Sequence, residues 1–218
     1  MRIILPGFFP NTFVCLSFQT KGPFTYANVH QILPEPDNVL DTYQMTGSQV
    51  VALVNQAFDS FFPPESNSES YPVGAGIRWY INGSMPTGQK VLSVQVNPRL
   101  TGSWTEIDLN ATYIVASNTF SSTTSYFGYS EFGAVRDSNP NAYLKTVYSI
   151  DQALVQYAKD QGIISDVSPS TYSTQYIVFQ DGTVVALSEP PQLTSSAIRK
   201  WFPLLVAAGA GAVLALLL

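Results

Sequence analysis

Apolar and polar positions recur with definite periods along this chain, and the period changes at turn-forming residues. From Val39 to Met45, the set Val39, Asp41, Tyr43 and Met45 alternates with Leu40, Thr42 and Gln44, which predicts a strand. The run that follows, GSQVVALVNQAFDSFF, places Val50, Leu53, Val54, Ala57, Phe58 and Phe61 on one face of a helix. Thr46 or Ser48 would cap that helix, and Pro63-Pro64 would end it. A second amphipathic helix is predicted over YSIDQALVQYAKDQG, with Ile150, Leu154, Tyr157 and Ala158 as its stripe, Ser149 as cap and Gly162 as stop.

Shorter signals fill the intervals. GPFTYANVHQILP opens on a Gly-Pro turn and becomes a short helical stretch closed by Pro34. YPVGAGIRWYING and QKVLSVQVN read as two strands joined by a Gly- and Pro-bearing turn. IDLNATYIVASNTF reads as a further strand, followed by a hydroxyl-rich loop. QYIVFQDGTVVALS carries Asp181-Gly182 between two apolar runs, a hairpin signal. No internal repeat is evident. Helices and strands mix without regular alternation, so the predicted class is α+β: a mixed sheet with two main amphipathic helices, plus a C-terminal hydrophobic tail. The expected divisions are an N-terminal segment 1–21 to which the sequence assigns no role, a domain over 22–165, a hairpin extension over 166–188, a polar linker over 189–200 and the tail over 201–218.

Composition narrows the function classes. The 218 residues are 45% hydrophobic and 13% aromatic, which excludes a disordered chain. Only 11% are charged and the net charge is −5, so a basic face for nucleic acid is not expected. Cys15 is the single cysteine and His30 the single histidine. Cysteine clusters and multi-histidine metal centres are thereby excluded within this chain, and His30 reads as an ordinary side chain on a helix or turn.

The two ends read differently. Trp201–Leu218 is uncharged throughout; as a helix it would reach roughly 27 Å, close to a bilayer core. Small residues at Ser195 and Ser196 precede it, the pattern of a lipid-anchor attachment signal, although the spacer is short. A retained membrane helix is the competing reading. Either would place the protein at a membrane or cell surface. At the other end, Pro6 and Pro10 interrupt an apolar stretch that otherwise loosely resembles a secretory leader. Asn82-Gly83-Ser84 and Asn110-Ala111-Thr112 are glycosylation triplets, making Asn82 and Asn110 candidate acceptors.

The order of segments resembles the C-terminal domain of the 5'-nucleotidase family over about residues 20–165. Thr46-Gly47-Ser48-Gln49-Val50 matches that family's Thr-Gly helix start, and Ala75-Gly76-Ile77-Arg78-Trp79 its Gly-Ile-Arg-aromatic strand. Tyr113, Val115, Ser117, Asn118 and Phe120 match its Tyr-x-Val-x-Ser-Asn-x-Phe strand. The resemblance implies the nucleoside-recognition half of a two-domain phosphohydrolase. Divalent metals would be held by a separate metallophosphoesterase domain, with no metal or cofactor in this chain and no catalytic residue.

The family stacks the base between two phenylalanines. Phe120 matches the second, whereas Glu35 stands where the first is expected and offers no ring face. Tyr126 stands where the family's ribose-binding Asp is expected. Read from the residues alone, Phe120 beside a hydroxyl-rich loop is packing and edge capping, and Arg78 is a surface or packing arginine. The expected partners are a nucleotide or nucleoside, a membrane through the tail, and a phosphoesterase domain encoded upstream or separately. The alternative is a degenerate, lipid-anchored structural or adhesive module without a nucleotide site. A self-sufficient hydrolase ranks last, because no Ser/His/Asp order appears.

Overall fold

The alternating pattern from Val39 onward forms β2 (Val39–Thr46), whose inward residues Asp41, Tyr43 and Met45 are buried. The computed structural model describes residues 2–10, 22–33, 38–62, 70–97, 101–123, 128–164 and 168–191. Around β2 a five-stranded sheet assembles in the order β3-β1-β7-β2-β8, from β1 (Arg2–Pro10), β3 (Pro72–Val73), β7 (Thr112–Asn118) and β8 (Tyr143–Ser149). β2 runs antiparallel to both β7 and β8, and β1 runs parallel to β7.

A second five-stranded sheet has the order β10-β9-β4-β5-β6, built from β4 (Ile77–Asn82), β5 (Val91–Val96), β6 (Thr105–Glu106), β9 (Thr174–Val178) and β10 (Val184–Ala186). The α+β class holds, with two mixed sheets where the sequence pattern suggested one. Alternation predicts strands but not their partners, and the division follows from β9 pairing parallel to β4. The hairpin β9–β10 closes as its Asp-Gly pair predicts. Gly182 takes φ +84° and donates to the Phe179 carbonyl at 3.0 Å.

The main helix, α2 (Gly47–Phe61), joins the sheets. Thr46 caps it reciprocally: Thr46 Oγ1 accepts from the Gln49 N–H at 3.3 Å, and Gln49 Oε1 accepts from the Thr46 N–H at 2.8 Å. Its apolar face meets Tyr43, Met45, Tyr113 and Val115 from the first sheet and Ile77, Trp79, Ile81, Val94 and Val96 from the second, in one continuous core. At its C-terminal end Lys90 Nζ lies 2.7 Å from Asp59 Oδ1, with side chains 7% and 17% exposed, while Asp59 Oδ2 accepts from the Gly88 N–H. Removing one partner of a pair this covered leaves the other charge desolvated. A Lys90→Met variant is therefore expected to lose about 2 kcal/mol in urea denaturation, and adding Asp59→Asn should recover part of it.

The other face of the first sheet carries α1 (Tyr26–Ile32) and α5 (Ile150–Gln161), which meet over Val29, Leu33, Leu40, Ile150 and Leu154. Ser149 and Gly162 bound α5 as expected. Tyr157, placed in the α5 stripe by periodicity, is instead 50% exposed, since the α1–α5 cluster takes in only Ile150, Leu154 and Val155 of α5.

Some elements lay outside the sequence reading. The N-terminal stretch supplies β1, whose pairing with β7 shifts register between Ile3 and Gly7, across Pro6, which has no N–H to give the ladder. The hydroxyl-rich stretch after β7, expected as a loop, forms α3 (Thr119–Thr123), and α4 (Ser130–Ser138) and β8 follow. Among the described residues no helix is long and apolar enough to cross a membrane. The tail 201–218, with Ser195 and Ser196, lies outside the described residues, as does Cys15.

Candidate functional site

β7 and β8 both end where β2 begins, so one end of the first sheet gathers three element junctions around Asn38 and Val39. Register places Leu40 opposite Asn118 and Val39 opposite Ser149. Phe120 stands in the first turn of α3 at this end, with 41% of its surface exposed. Its backbone N–H donates to Asn38 Oδ1 at 3.0 Å, and the Asn38 carbonyl accepts from the Ile150 N–H at 3.1 Å. Asn38 thus ties the starts of β2, α3 and α5 together.

Three of the hydroxyls around Phe120, those of Thr119, Ser122 and Thr123, are bonded within the fold, while the buried Ser121 hydroxyl has no hydrogen-bond partner among the described residues. Thr119 Oγ1 donates to the Val39 carbonyl at 3.0 Å, and Thr123 Oγ1 to the Thr119 carbonyl at 2.6 Å. The Ser121 N–H donates to Asn118 Oδ1, the cap of this short helix, and the Ser121 side chain is buried. Ser122 Oγ donates to Asp41 Oδ2 at 2.9 Å, with both residues buried. Beside this pair the Tyr43 phenol is pushed up to about 12, by burial first, with the Ser122 hydroxyl acting against the rise and the Asp41 carboxylate adding to it. Tyr143 is raised for the same reasons, burial first and Asp41 next. This end of the sheet therefore offers solvent the Phe120 ring on a backbone held by Asn38, with the Ser121 and Ser122 side chains buried beneath it.

A second polar knot lies between α1 and α5. Tyr26 Oη donates to Asp151 Oδ2 at 2.9 Å, and Ser149 Oγ donates to the other carboxylate oxygen. The Ser149 hydroxyl is the main reason the Asp151 carboxyl sits below its ordinary range. His30 lies on the exposed side of α1, edge-on to the Tyr26 ring at 4.6 Å.

The remaining residues singled out by the sequence are dispersed. Arg78 sits on β4, far along the chain's second sheet, where Nε donates to Gln95 Oε1 at 2.8 Å and the guanidinium covers the Trp104 ring at 4.6 Å. Asn82 closes β4, and Asn110 lies in the turn before β7. Glu35 and Tyr126 fall outside the described residues. Among the described residues no three of His, Cys, Asp and Glu converge as a metal site. Asn38 and the Ser122–Asp41 bond escaped the sequence reading. Asn38 belongs to no periodic run, and Asp41 was visible only as an inward position of a strand.

The model of the 5'-nucleotidase C-terminal domain matches residues 10–130, more than half of the chain, and the chain belongs to that family. The NAD 5'-nucleotidase of Haemophilus influenzae is 33% identical over 100 residues, which cover 45% of this chain and 16% of that protein. In structure, Haemophilus influenzae NAD nucleotidase superposes with a TM-score of 0.61 at 25% identity, covering 69% of this chain and 26% of the other. A 5'-nucleotidase precursor from Thermus thermophilus shares the fold with a TM-score of 0.60 at 20% identity, over 73% and 29% of the two chains. The chain thus spans less than a third of the length of these relatives. The matched part is the family's C-terminal domain, and the metallophosphoesterase domain is not among the chain's 218 residues.

Proposed function

We propose that this chain is the nucleoside- or nucleotide-recognition lobe of a phosphohydrolase of nucleotide catabolism, with Phe120 as a one-sided stacking platform and no hydrolysis of its own. The observation that supports this reading is the half-exposed Phe120 ring, whose backbone Asn38 pins at the junction of β2, α3 and α5. A ring held in place before the ligand arrives loses little freedom on stacking, and base–aromatic stacking is worth about 1–3 kcal/mol per base. The chain would bind and orient its ligand, while a metallophosphoesterase domain, encoded upstream or separately, would supply the divalent metals and the attack at phosphorus. The uncharged run Trp201–Leu218 would hold the assembly at a membrane or cell surface, either as a retained helix or by exchange for a lipid anchor at Ser195 or Ser196.

Thermal unfolding in the presence of adenosine and AMP tests the recognition. At ten times its dissociation constant a ligand stabilises the folded state by about 1.4 kcal/mol, a rise of roughly 3–5 °C for a chain of this size. Phe120→Ala is expected to melt within about 1 °C of the parent, because its side chain is exposed, and to lose the ligand-induced rise. AMP with added magnesium, manganese or zinc should release no phosphate. Absence of any shift at millimolar nucleoside would favour the structural or adhesive reading, and stoichiometric turnover of AMP would overturn the assignment of chemistry to a separate domain.

A further inference from the structure

The two glycosylation triplets occupy unlike places in the fold. Asn82-Gly83-Ser84 is built into the β4–β5 connection. The Asn82 N–H donates to the Lys90 carbonyl at 2.8 Å, and the Asn82 carbonyl accepts from the Met85 N–H. Its side-chain Oδ1 accepts from the Ser84 N–H at 3.0 Å, an Asx turn that fixes the carboxamide. Gly83 donates to the Val178 carbonyl and is so close to the core that an added Cβ would lie 2.5 Å from the Phe62 ring. The triplet is thus clamped between β5, β9 and Phe62, with Asn82 half-buried.

Asn110 is fully different in setting. It is exposed at a turn whose backbone is held by α2, where Ser48 N–H donates to the Leu109 carbonyl and Gly47 N–H to the Ala111 carbonyl, both at 3.0 Å. The Asn110 N–H donates to Asp108 Oδ1, but its own carboxamide makes no hydrogen bond among the described residues, and Thr112 of the triplet is also exposed. Asn110 and Phe120 lie beyond opposite ends of β7, a strand of seven residues and so about 20 Å long. A bulky group on Asn110 leaves the Phe120 end open.

We infer that Asn110 is an N-linked glycan acceptor in the folded protein and that Asn82 is not. The transfer breaks the sugar–phosphate bond of a lipid-linked oligosaccharide pyrophosphate and joins the sugar to Asn110 Nδ2, releasing the amide proton and the lipid pyrophosphate with no change of oxidation state. Both triplets are available while the chain is extended; the fold distinguishes them, because Asn82 is half-buried in a connection packed on Phe62 through Gly83, whereas Asn110 and Thr112 stand exposed.

The test is to express the full chain behind a cleavable secretion leader in yeast, recover the folded product from microsomes and medium, and follow its gel mobility with and without an endoglycosidase. The expected result is a one-glycan step that Asn110→Gln and Thr112→Ala abolish and Ser84→Ala leaves unchanged. Peptide mapping after enzymatic deglycosylation in heavy-oxygen water should mark residue 110 and not residue 82. Asn110→Gln and Thr112→Ala lie on the surface and should melt like the parent, which separates loss of the sugar from loss of the fold. A step that survives Asn110→Gln, a mark on residue 82, or a leader-processed product without any glycan overturns the inference.

Discussion

Phe58→Ala is expected to lower the melting temperature by about 6–20 °C, the loss that follows from about 3–5 kcal/mol for emptying a fully buried phenylalanine site in a chain of this length. Phe58 has no exposed surface, and its ring centre lies 5.6 Å from Tyr71, 6.1 Å from Phe62 and 6.1 Å from Trp79. These rings come from α2, the segment before β3, and β4, so the cavity would open where α2 meets the second sheet. Tyr71 and Trp79 are further held through their polar atoms by Thr174 of β9, at 2.7 and 2.9 Å, which limits how far they can close on the gap. A cost under about 1 kcal/mol in thermal or urea unfolding would mean that α2 does not join the two sheets as described.

The second large effect concerns a residue whose neighbours explain why it is glycine. Gly47 is the first residue of α2, where alanine would ordinarily gain up to about 1 kcal/mol as a better helix former. Here an added Cβ would lie 2.1 Å from the Asp108 carbonyl oxygen. That carbonyl cannot easily retreat, because it accepts from the Ala111 N–H at 3.1 Å while the Asp108 N–H donates to Tyr113 Oη at 2.9 Å. Steric overlap with fixed backbone outweighs helix propensity, so Gly47→Ala is expected to destabilise by about 3 kcal/mol and to melt roughly 6–12 °C lower. A neutral or stabilising alanine in differential scanning calorimetry would contradict the close approach of the 108–111 turn to the helix. The Thr-Gly pair at the start of α2 thereby acquires a physical meaning: threonine closes the capping box, and glycine lets the next turn pass.

These two residues also show what could be read from the chain directly. Phe58 sits in an uninterrupted helical period ended by two prolines, so α2 was legible to within a residue, with its cap left between Thr46 and Ser48. The need for Gly47 was not, since it arises from Asp108, sixty-one positions away in sequence. α3 escaped notice because TFSST has neither apolar periodicity nor strong helix formers; its cap at Asn118 and its anchor on buried Asp41 exist only once β2 and β7 pair. α4 buries only Phe132 and Val135, too few positions to set a period. β1 was disguised by Pro6 and Pro10; its pairing with β7 shifts register across Pro6, and Pro10 lies opposite Pro72 of β3. At the candidate site, Phe120 was visible as a motif position, while Asn38, which holds it, was not, because a turn residue carries no pattern of its own.

The recognition role is tested most directly by following backbone amide signals in NMR while adenosine is added to the isotopically labelled chain. The account predicts saturable shifts concentrated at Asn38, Phe120 and Ile150, at the end of the first sheet, and their loss in Phe120→Ala with the remainder of the spectrum unchanged. Shifts confined to the second sheet, or none at millimolar adenosine, would contradict it.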